Sequence, residues 1–113
     1  MLKPLNFVEL NKIDLIPQAI IGQPVSYFEK QGIGFVHDSD ALDVFEGAAF
    51  LLDGLRFALT HHQGYPANTT TVCLPRDFGE DVEKITASIR VILSALHLSS
   101  ESLVWERKDN PEL

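Results

Sequence analysis

Asp53-Gly54, set between two apolar runs, constrains this chain more than any other feature. A two-residue hairpin loop needs positive φ at both positions, and glycine adopts it without a Cβ clash. With those residues as the loop, Leu52 faces Leu55, Phe50 faces Phe57 and Ala48 faces Leu59. Leu51 then lies opposite Arg56, and Ala49 opposite Ala58. Period-two alternation gathers Phe50, Leu52, Leu55, Phe57 and Leu59 on one strongly apolar face. The opposite face is thin and mixed.

Gln63 to Asn68 is a turn-rich loop, and Thr69 to Leu74 reads as a β-branched third strand ended by Pro75. A helix follows over Phe78 to Leu98. At 100° per residue, Phe78, Val82, Ile85, Ile89, Ile92, Leu93 and Leu96 share one arc. Asp77 is the expected N-cap, with Glu80, Asp81 and Glu83 placed where the helix dipole favours negative charge. Ser99-Ser100 ends the helix, and Ser102 to Arg107 reads as a strand with Leu103 and Trp105 on one face. If that strand lies beside and parallel to the third, the crossover is right-handed.

These elements predict an α+β fold. A mainly antiparallel sheet of four to six strands, with hairpin 45–62 and strands 69–75 and 102–107, carries the helix 78–98 on one face. The chain of 113 residues suits one domain. Within it, 1–44 is less regular, 45–108 is a β-β-β-α-β core and 109–113 is a frayed tail. In the first part, Phe7 to Leu10 and Ile33 to Val36 read as strands. Pro17, Pro24, Gly22, Gly32 and Gly34 punctuate the rest. Asp40 to Phe45 reads as a helical turn or as the run into the hairpin.

The lone Cys73 excludes an internal disulfide and points to a reducing compartment. The opening residues carry no continuous apolar run, and no stretch approaches the length of a spanning helix. A soluble, cytoplasmic protein without a membrane partner is expected. Sixteen acids against nine bases give a net charge of −7 with no basic stripe, which excludes nucleic acid as an expected partner.

Chemical motifs fall short one by one. Gly32-Ile-Gly34 begins like a dinucleotide fingerprint but has His37 at the third glycine position and no helix to follow. Asp38-Ser-Asp40-Ala-Leu-Asp43 opens like a calcium loop, yet Asp43 and Ala49 stand where glycine and glutamate are required. Cys73 has no cationic neighbour to make it a reactive thiolate. No cofactor is implied, and no metal site is assigned. His61 and His62 are neighbours on a strand and point to opposite faces, while His37 and His97 have no fixed place relative to them.

Two groups of residues remain as candidates. The hairpin register sets His61 opposite Glu46 on the apolar face, with Tyr65 nearby in the loop. Such a pair serves as an acid–base site, as a pH-sensitive latch or as a satisfied polar rim. On the helix, Ala87, Val91, Ala95 and Leu98 form a second, weaker apolar stripe away from the main arc. With the thin hairpin face, this stripe suggests self-association as a homodimer, unless the N-terminal residues cover one surface. The expected function is therefore a small binding or regulatory module acting through protein contacts. The alternatives are a small enzyme or ligand-binding protein using Glu46, His61 and Tyr65, and an acidic inhibitor of a basic protein.

Overall fold

The hairpin is the centre of a larger sheet in the computed structural model, which describes residues 2–10, 15–39, 44–76 and 81–107. In chain order the elements are β1 (Leu2–Leu5), α1 (Phe7–Leu10), β2 (Leu15–Ile21), α2 (Val25–Glu29), β3 (Val36–Ser39), β4 (Val44–Leu52), β5 (Leu55–His62), β6 (Thr70–Pro75), α3 (Val82–Ala95) and β7 (Leu103–Glu106). The fold is α+β, a seven-stranded sheet with one long helix against it. The strands run in the order β1-β4-β5-β6-β2-β7, and β3 also pairs with β4. Every pairing is antiparallel.

The β4–β5 register is the expected one, from Leu52 opposite Leu55 through Ala48 opposite Leu59 to Glu46 opposite His61. Asp53 and Gly54 both take positive φ, 49° and 86°, as the tight turn demands. The sheet exceeds the expected four to six strands because the N-terminal residues supply three. β1 and β3 share one edge of β4 end to end, with Leu5 opposite Ala49 and Val36 opposite Gly47. β2 runs between β6 and β7, so the two parallel strands joined by α3 are not neighbours.

Phe7–Leu10 is a turn of helix and not a strand. The Asn6 side chain accepts a hydrogen bond from the Glu9 amide, the usual device for starting a helix. Long-helix boundaries also move inward. Asp81 is the N-cap, its carboxylate accepting from the Glu83 and Lys84 amides at 3.0 and 3.2 Å. The expected cap Asp77, together with Phe78 and Glu80, lies outside the described residues, as do Asp40–Asp43 and the tail 109–113. At the other end His97 takes φ 63°. The Leu98 amide bonds the Leu93 carbonyl and the His97 amide bonds that of Ser94, which closes the helix before the serines are reached.

Each side of the sheet has its own core. On the helix side, Ile85, Ile89, Ile92, Leu93 and Leu96 pack on Phe50, Leu52, Phe57, Leu59, Val72 and Leu74. On the other side, Phe7 and Leu10 of α1 pack with Phe45, Ala49, Ala58 and Cys73. The thin hairpin face is thus partly roofed by the N-terminal helical turn. Small residues there leave a shallow bed, and a Cβ on Gly47 would collide with the Phe7 ring. Arg90 of α3 donates two hydrogen bonds to the Glu106 carboxylate, at 3.0 and 2.9 Å, tying the helix to β7. No described helix is long and apolar enough to cross a membrane.

Candidate functional site

Glu46 lies opposite His61 in the β4–β5 register, as expected, and β3 adds a third residue to the row. In the β3–β4–β5 ladder, His37 pairs with Glu46 and Glu46 with His61, giving a His-Glu-His row across three strands on one face. The His37 Nε2 atom stands 3.6 Å from the Glu46 carboxylate, with 78% of the His37 side chain exposed against 25% for Glu46. The three residues line one shallow hollow with Val44, Phe45 and Gln63. The His61 ring is anchored through Nε2 to the Pro66 carbonyl at 3.1 Å. Tyr65 is placed elsewhere. Its ring packs on His62, which in turn stacks on Phe45 with ring centres 4.7 Å apart. The expected trio is therefore divided, Glu46 and His61 lining one hollow and Tyr65 packing with His62.

The helical stripe divides as well. Val91 is 51% exposed and Ala87 is exposed. Ala95 and Leu98 are partly buried against the core. Leu98 holds that position because it follows the helix-terminating turn, where a hydrophobic contact back to the last helical turn is customary.

The larger exposed apolar feature is β7. It is the outermost strand, pairing with β2 alone among the described strands. Irregular pairing places Ile20 opposite Trp105 and the next residue, Ile21, opposite Leu103, skipping Val104. This bulge overturns the expectation that Leu103 and Trp105 share a face. Leu103 packs on the helix-side core, while Trp105 is 44% exposed and Val104 65%. Alternation alone cannot reveal a skipped residue, so the sequence gives no sign of it.

A second feature lies beyond the reach of sequence reasoning. Where β1 and β3 meet end to end along β4, Leu5, Phe7, Val8, Ile33, Val36 and Phe50 line an apolar hollow of about 420 Å³. Its walls come from segments far apart in the chain and brought together only by the shared edge of β4.

Cys73 is buried on the α1 side, and its Sγ lies 3.7 Å from the Thr60 hydroxyl. Burial pushes its thiol up from an ordinary value near 9 to about 11, and the Thr60 contact offsets a little of that. The folded protein therefore holds the neutral thiol, as a packing residue would. The unfolded chain loses this proton first, so the stability contributed by Cys73 is complete below pH 9 and falls as pH rises towards 11. Urea unfolding at about pH 8 and about pH 10.5 should show wild type losing about 2 kcal/mol more than Cys73→Ala. Equal losses in the two proteins would show that the thiol is not held neutral by the fold.

No protein-family model, no curated protein and no solved structure matches the chain.

Proposed function

We propose that this protein is a small binding module that works through protein contacts, with β7 as its contacting edge and a second copy of the chain as its first partner. The observation that carries this reading is an outermost strand whose Val104 and Trp105 are 65% and 44% exposed. Sheet edges are ordinarily blunted by lysine, proline, a bulge, short length or a covering segment, because an open edge recruits other strands. β7 is short and bulged but contains neither lysine nor proline, and its bulge leaves Val104 exposed. Strand addition along such an edge supplies main-chain hydrogen bonds, and the exposed valine and tryptophan supply apolar contact area.

The only tryptophan of the chain is Trp105, so its emission reports directly on this edge. Light scattering and fluorescence over a concentration series should show mass rising to that of two chains as the emission shifts to the blue. Val104→Lys should abolish both changes, and Val91→Glu on the helix should leave them intact. Loss of association in Val91→Glu alone would move the interface to the helical stripe. A single-chain mass at every concentration would remove self-association from this reading.

A further inference from the structure

We propose that the apolar hollow between β1 and β3 is a binding site for a small, uncharged molecule built mainly of aromatic or aliphatic carbon. It lies at the edge of the sheet opposite β7 and is independent of the contacts proposed there. Leu5 pairs with Ala49 and Val36 with Gly47, so Ala48 has neither β1 nor β3 opposite it. The two segments leave this point towards opposite faces. Phe7 packs into the core on the α1 side, and Ile33 packs against the core on the α3 side. The result is a notch two strand residues wide, or about 7 Å. A flat ring or an extended alkyl chain enters such a notch, but a helix about 10 Å across does not. Because β4 is already paired on both sides of the notch, no further strand can add to it there.

Size and charge set the class of occupant. The hollow holds about 420 Å³. That is well above the roughly 150 Å³ at which an apolar cavity takes up benzene, and it falls within the range of small-molecule sites. None of its described lining residues carries a charge. The one polar side chain among them, Asn6, already uses its oxygen to accept the Glu9 amide. A charged ligand would enter without a counter-ion, and an anion would also meet the protein's net charge of −7. Phe7 and Phe50 supply aromatic walls, and Gly34 and Ala48 leave room between them. Leu5, Val8 and Val36 line the same hollow and are exposed, so this apolar surface is one continuous feature. Water against such walls lacks hydrogen-bond partners, and an apolar ligand displaces it favourably.

The test is titration of N-phenyl-1-naphthylamine, an uncharged fluorophore, into the full-length protein, followed by the rise in its emission. One saturable site per chain is expected, with affinity at least about tenfold above that of its sulfonated analogue, anilinonaphthalene sulfonate. Val8→Asp puts a carboxylate in the lining at an exposed position, and Gly34→Leu fills the hollow. Each should weaken binding at least about tenfold. An added Cβ at Gly34 meets nothing within 4 Å, so this variant keeps the fold, which circular dichroism verifies for both. Val91→Glu on α3 and Val104→Lys on β7 alter other exposed apolar positions and should bind as wild type does. Absence of saturable binding, or equal binding of the sulfonate, would overturn the proposal. Undiminished binding in either lining variant, or a loss in either control, would do the same.

Discussion

Gly47→Val is expected to destabilise the protein by about 3–5 kcal/mol, close to the cost of losing a buried phenylalanine outright. A Cβ at this position would overlap the Phe7 ring, which is almost wholly buried. The strand backbone is fixed on both sides, by β3 at Val36 and by β5 at Thr60, so it cannot retreat. The ring must leave its bed instead, and with it go the contact to Phe45, edge-on at 6.0 Å, and the roof that α1 forms over Ala49 and Ala58. Valine is otherwise well suited to a strand, so nothing but this collision opposes it. A double-mutant cycle separates the two effects. In a Phe7→Ala background Gly47→Val should cost less than about 1 kcal/mol, leaving a coupling energy of several kcal/mol. Additive losses would mean that the ring and the glycine are not neighbours.

The second large effect is expected at Ile89. It is fully buried at the middle of α3 and belongs to the core shared with the sheet. Truncation to alanine removes its apolar contacts and leaves a cavity that rigid neighbours on β4, β5 and β6 cannot fill, at a cost of about 2–5 kcal/mol. Ile89→Val, which removes one methylene, should cost about 0.5–1.5 kcal/mol. The midpoint of urea unfolding should fall in that order with an unchanged slope. An alanine variant as stable as wild type would mean that α3 does not seal the core.

What could be read from the residues followed how locally each element is specified. The β4–β5 register rests on Asp53-Gly54 and on alternation within a few residues of it, and it was legible in full. The buried face of α3 was legible for the same reason, because Ile85, Ile89, Ile92 and Leu96 repeat at helical spacing. β2 was hidden by its own sequence. Pro17 and Gly22 read as breakers, yet Pro17 sits where the pairing with β6 shifts register, a place where a missing amide costs little. Phe7–Leu10 is too short for any periodicity, and only Asn6 marked it as a helix start. Two of the three residues of the His37-Glu46-His61 row were legible, since Glu46 and His61 lie within one hairpin. His37 joins them through a pairing between β3 and β4 that no local pattern announces, and Tyr65 departs because its loop turns towards His62.

The position of β2 has a kinetic consequence. Its Ile20 is clasped between Thr71 on one side and Trp105 on the other, partners some fifty and eighty-five residues further along the chain. β4 and β5 close a short loop, but the strand that joins them to the C-terminal edge has to be recruited from the far end of the polypeptide. The entropy of closing those long loops comes before any reward from β-pairing, and chains dominated by such distant contacts refold in milliseconds to seconds and not in microseconds. During synthesis the first half of the sequence emerges with an interior strand that has neither neighbour. Both neighbours arrive only after β6 and then β7 have been made, so the sheet is completed last at the strand that was synthesised among the first.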